Sequence, residues 1–165
     1  MTMGRGGDAP ARGLSGRRVW CHARRSGILV VGGQVTQDEA TRIRETITRY
    51  FAAIGARDAE VWVGTFAPDA VVRDPAESPA VRGHDALRAR FQEWMGRFVT
   101  FALTADEVYV VGRRVAVHFH GGGRATTGRV VTFQGIDIFD FDEQARIVEL
   151  QGYWDVHSFT KQLQG

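Results

Sequence analysis

The sequence predicts an α+β domain in which a curved antiparallel sheet wraps a long N-terminal helix, with three helices in all. Three observations predict it. Thr36-Gln37-Asp38-Glu39 is a capping box, and it opens an amphipathic run with 3.6-residue spacing. Two further helical stretches follow before Phe98. From Phe98 to Trp154 the period of the apolar residues changes to two. Helices first and about four antiparallel strands after them form a segregated α+β pattern. A sheet curved over the first helix encloses a cone-shaped pocket that aromatic side chains can line.

In the first helix Ile43, Ile47, Tyr50, Phe51 and Ile54 form one stripe, which runs to about Ala56. Arg57-Asp58 breaks the pattern and starts a shorter helix to about Phe66. Asp69-Ala70 turns the chain into a short strand, Ala70–Asp74, ended by Pro75, which brings no N–H and restricts its neighbour. Residues 79–83 read as a connector, and His84/Asp85 opens a third helix to about Arg97. Phe98–Val111 is β-rich with a break near Asp106. Arg114–His120 alternates Val115, Val117 and Phe119 against Ala116, His118 and His120. Gly121–Gly123 reads as the start of a loop without the spacing of a phosphate-binding fingerprint. Arg129–Phe141 is a long strand, Asp142–Ala145 a turn and Arg146–Trp154 the last strand, with a turn of helix at Thr160–Leu163.

Composition bounds the function classes. The 165 residues suffice for one domain with a real core. Ten Phe and four Trp make the core or a cavity aromatic. No stretch reaches the roughly 20 apolar residues that span a bilayer. The single Cys21 excludes an internal disulfide and a cysteine-based zinc site, and fits a reducing cytoplasm. Residues 1–34 carry six Arg against Asp8 alone, a net of +5; the total of +2 leaves −3 on residues 35–165. The folded part is therefore mildly acidic, and a nucleic-acid footprint is not supported. Residues 1–34 read as a disordered basic tail. Val35 fits a GTG start codon behind a ribosome-binding sequence translated as Gly32-Gly33, so the natural chain is expected to begin at Val35.

Three residues stand out chemically. Asp74 ends a short strand against Pro75, where partial desolvation raises a carboxylate toward usefulness as a proton carrier. On local sequence alone, an Asp-Pro turn accepting backbone hydrogen bonds is the simpler explanation. Asp137 shares a face with Val131, Phe133, Phe139 and Phe141. A carboxylate in that row is expensive unless it is paired or protonated, or unless it caps a bulge at Gly135. Tyr50 lies on the buried stripe, so its hydroxyl needs a partner. His118 and His120 share a strand face, as two metal ligands would, but no third ligand is evident, so no metal is expected. No nucleophile elbow is present.

Phe66-Ala67-Pro68-Asp69-Ala70-Val71-Val72-Arg73-Asp74-Pro75, then Val81-Arg82-Gly83-His84-Asp85-Ala86-Leu87, resembles the ketosteroid-isomerase/SnoaL-like group of the nuclear transport factor 2-like superfamily. Gly135-Ile136-Asp137-Ile138-Phe139, Phe141-Asp142-Glu143 and Gly152-Tyr153-Trp154 are similar to it as well. The resemblance covers residues 37–155 and implies one SnoaL-like domain over 35–165. It implies Asp74 as a base, with Tyr50 and a protonated Asp137 as the two donors of an oxyanion hole. The pKa logic of that arrangement is the known one for ketosteroid isomerase. Trp62, Phe66, Trp94, Phe139 and Trp154 are the expected wall residues. A second tyrosine that supports the first in some isomerases corresponds to Phe91 here, and Ala76-Glu77 replaces a small apolar residue and Gly.

The implied activity is a double-bond shift toward a ketone, without a cofactor, on a small apolar ketone. The alternatives are a polyketide or polyether cyclase or an epoxide hydrolase acting on a polyketide-like substrate, and a binding module that holds an apolar ligand without turnover. A homodimer is expected, because a sheet of this type leaves one face uncovered and Ile136 and Ile138 project from it opposite Asp137.

Overall fold

The computed structural model describes residues 35–164; the expectations for the basic tail and for a start at Val35 concern residues outside these or at their edge. Thr36 caps α1 (Gln37–Ala56), its hydroxyl accepting from the Glu39 N–H at 3.2 Å. The capping box forms only by half. The Glu39 carboxylate turns to Arg113, whose Nε donates to it at 2.6 Å, and so ties the helix start to a sheet hairpin. At the other end Arg57 takes the left-handed conformation, and its guanidinium donates to the carbonyls of Met95 (2.6 Å) and Phe98 (2.7 Å). One residue thereby closes α1 with its backbone N–H, which donates to the Ala53 and Ile54 carbonyls, and with its side chain satisfies carbonyls where the third helix ends and the next strand begins.

Asp58 caps α2 (Ala59–Val63) by accepting from the Glu60 and Val61 N–H groups. This helix stops three residues short of Phe66, because β1 (Phe66–Arg73) begins there rather than at Ala70. A register shift between Phe66 and Val71 absorbs the Pro68-Asp69 kink. The connector 79–83 holds a two-residue strand, β2 (Val81–Arg82), and leads into α3 (Gly83–Gly96). The sheet continues with β3 (Phe98–Val111), β4 (Arg114–Ala125), β5 (Val130–Phe141) and β6 (Ile147–Trp154), in the order β2-β1-β6-β5-β4-β3. All neighbours are antiparallel except β1 and β6, which run parallel. The β3 register shifts between Ala105 and Glu107, at the expected break.

Two further expectations need correction. Gly121–Gly123 is no loop: it extends β4, pairing with Leu103–Phe101 on β3 and Phe133–Val131 on β5. The strands approach so closely that a Cβ at Gly123 would overlap the Thr100 carbonyl, so glycine serves contact here rather than turning. The chain also has a fourth helix, α4 (Val156–Gln164), longer than the single turn at Thr160–Leu163. Asp155 starts it by accepting from the Ser158 N–H at 2.9 Å.

The α1 stripe is buried as a unit against Val115, Val117, Phe119, Val131, Phe139 and Leu150 on the concave face of the sheet. This is the α+β cone with a six-stranded curved sheet. On the outer face Ile136 and Tyr153 pair in register and are 46% and 51% exposed. His118 and His120 also lie there and flank Asp106, with His120 Nδ1 at 2.7 Å from its carboxylate.

Candidate active site

The open end of the cone holds a cavity of about 570 Å³, in the range of small-molecule sites. Asp74 reaches it from the residue after β1, beside Arg73, which pairs with Gln151 of β6. The Ala76 N–H donates to the Gly152 carbonyl at 2.7 Å and fixes the chain beyond Pro75. Asp137 reaches the same place from the middle of β5, directly opposite Gly152. A Cβ at Gly152 would overlap Asp74 Oδ1 and lie 3.2 Å from Asp137 Oδ1, so the two carboxyls converge on one point of β6. Tyr50 lines the cavity from α1, which brings the three singled-out residues together.

Their environments differ. The Trp154 indole donates to Asp74 Oδ1 at 2.5 Å, a hydrogen bond to the charged form. Burial pushes the Asp74 pKa up, while the Trp154 N–H and the positive charge of Arg90 pull it back. Asp137 is buried, and no protein group donates to its carboxyl among the described residues. Burial first, and then the Asp74 charge, holds its pKa well above the usual carboxylate range. Burial likewise pushes the Tyr50 phenol far up, and both carboxylates add to the effect. The site thus presents one carboxyl with a donor to its charged form, and two groups whose surroundings favour their protonated forms.

The walls are aromatic, but not all are those expected. Trp62, Trp94 and Trp154 line the cavity. Phe66 and Phe139 do not: both are fully buried behind Tyr50, at ring separations of 5.9 and 5.2 Å, where they clamp its ring edge-on. Both belong to the hydrophobic core rather than to the cavity lining. Phe91, Phe133 and Phe159 line the cavity in their stead. Phe133 stands in the Asp137 row, where period two put it without marking it as a wall. Phe159 comes from α4 and packs on Phe133 at 4.9 Å and Trp94 at 5.6 Å. Arg90 lines the cavity from α3, and no local sequence signal marks it. Gly152 stands in the Gly152-Tyr153-Trp154 segment of the resemblance, and a glycine inside a strand is a sign of close approach.

A curved sheet wrapped on α1, with Asp74 just after β1 and Asp137 within β5 facing one apolar cavity, is a cone fold of the nuclear transport factor 2-like type. Residues 47–150 match the model of the SnoaL-like domain family, and the chain belongs to that family. Among solved structures it is similar to SalBIII, described as an epoxide hydrolase/cyclase-like enzyme in pyran ring formation in the polyether salinomycin. The two share 20% identity with a TM-score of 0.66, over 74% of this chain and 97% of SalBIII. At that identity the likeness concerns the fold.

Proposed function

We propose that the protein is an acid–base isomerase that shifts a double bond into conjugation with a ketone on a small, flat, apolar substrate. The observation that carries this reading is the unequal treatment of two carboxyls facing one point. Asp74 has a donor for its charged form, and Asp137 has none among the described residues. Asp74 removes the acidic proton between the ketone and the double bond. The electron pair moves onto the carbonyl oxygen, and Tyr50 and neutral Asp137 donate hydrogen bonds to that oxygen as its charge grows. Asp74 then returns the proton at the γ carbon, so the substrate neither gains nor loses an atom. Trp62, Trp94, Phe133 and Phe159 supply a dry surface for the apolar body, which strengthens every hydrogen bond inside. The test is an assay of β,γ-unsaturated ketones, steroidal and simpler, read as the rise of conjugated-enone absorption, with Asp74→Asn as control. No turnover of any of them contradicts the reading.

The convergence of both carboxyls on Gly152 also favours a second reading, and the fold shared with SalBIII supports it. Here Asp74 takes the proton of a hydroxyl or water as that oxygen attacks an epoxide carbon, while Asp137 gives its proton to the oxygen of the breaking C–O bond. This is cyclase or epoxide-hydrolase chemistry in the same cavity. We further propose that the chain pairs with a second copy through the outer sheet face, where Ile136 and Tyr153 stand exposed side by side.

A further inference from the structure

We propose that Trp62 is a positioning residue: its indole N–H supplies a hydrogen bond to the Tyr50 oxygen as the Tyr50 hydroxyl donates its own proton to a substrate oxygen. This rests on the oxyanion role proposed above for Tyr50. Trp62 is only 7% exposed, and among the described residues its Nε1 is the one side-chain nitrogen or oxygen that is itself shut off from solvent and also lacks a hydrogen-bond partner. A buried orphan donor costs stability, and a phenylalanine would fill an apolar wall without that cost. The ring is held in place by Phe66 at 4.7 Å and Phe91 at 4.9 Å. Its centroid lies 5.9 Å from that of Tyr50, and both residues line the cavity.

The other rings around Tyr50, those of Phe51, Phe66 and Phe139, have nothing to donate. Indole is a donor only, so it can serve the lone pairs of the Tyr50 oxygen and never compete for its proton. A phenol that gives up part of its proton gains negative charge on oxygen. A second donor to that oxygen strengthens the bond to the substrate, because chained hydrogen bonds polarise one another. In line with this, the Trp62 N–H is the single influence that favours the Tyr50 phenolate, against burial and two carboxylates.

The test is a double-mutant cycle with 2-naphthol as probe, an apolar bicycle whose oxygen can take the substrate oxygen's place, and naphthalene as the probe without oxygen. Trp62→Phe should weaken naphthol binding about three- to tenfold more than it weakens naphthalene binding, and that excess should vanish in the Tyr50→Phe background. An equal loss in both backgrounds would mean that Trp62 contacts the ligand directly or only packs, and no loss in either would mean that it has no role; both overturn the proposal. If neither Tyr50→Phe nor Asp137→Leu weakens naphthol binding, the oxyanion reading itself fails, and the Trp62 role with it. Should Trp62→Phe not fold, 3-benzothienylalanine at position 62 keeps the indole shape without the N–H and is read in the same way.

Discussion

Asp137 lies directly across the β5–β6 ladder from Gly152, and the missing side chain at Gly152 is what lets Asp137 and Asp74 face each other. A methyl group there would occupy the place of Asp74 Oδ1. Gly152→Ala is expected to displace Asp74, abolish turnover, and cost about 1–3 kcal/mol of stability as overpacking. Urea unfolding together with the enone assay checks it. A variant that is active and as stable as the parent would show that the carboxyls do not meet there.

Trp154 and Asp74 are 80 residues apart in sequence and hydrogen-bonded in the fold. That bond favours the carboxylate, so Trp154→Phe should raise the Asp74 pKa further. The acid limb of the rate–pH profile should then move to higher pH, with activity near the alkaline plateau reduced less. The profile of kcat/KM checks it, and an unmoved acid limb counts against Asp74 as the base.

The sequence carried the elements better than the site. The Thr36 N-cap, the α1 stripe and the Asp137 row are local patterns, and each is found where period and cap chemistry predict, whereas the Glu39 half of the capping box is lost to Arg113. What failed depends on distant strands. Gly121–Gly123 has the composition of a loop, and only close approach to β3 and β5 explains it as strand. Phe66 and Phe139 are aromatic residues near the site, but which side of Tyr50 they occupy is decided by how α1 seats on the sheet. Arg90, Phe159 and the Trp154–Asp74 bond become visible only once α3, α4 and β6 converge.

Burial of Asp137 gives the fold a pH dependence with a definite sign. Its folded pKa is raised, so the native state holds the proton more tightly than the unfolded chain. The contribution to stability is fully present below the unfolded value of about 3.9, and is lost as pH rises toward the folded pKa. Asp137→Asn should therefore raise Tm near neutral pH, with the gain shrinking toward pH ~4. A gain that is constant with pH, or largest in acid, would contradict a raised pKa.

The outer face should pair two copies of the chain. Ile138 lies on it between Ala116 and Gln151, next to the exposed Ile136. Ile138→Arg should shift a dimer toward monomer, because a charge in an apolar interface core is not compensated. Sedimentation at micromolar concentration checks this; a monomeric parent protein would refute the dimer.

The central claim is the division of labour between the two carboxyls, and the direct measurement is kcat of Asp74→Asn and Asp137→Asn on one substrate that the parent turns over. Asn at 74 removes the base outright, whereas Asn at 137 keeps a hydrogen-bond donor. The isomerase account predicts that Asp74→Asn is the more damaging of the two, and that Asp137→Leu falls below Asp137→Asn, with about tenfold to a thousandfold lost for a missing oxyanion donor. Equal loss in the two Asn variants would contradict the oxyanion role of Asp137 and make it a proton-transfer partner of Asp74.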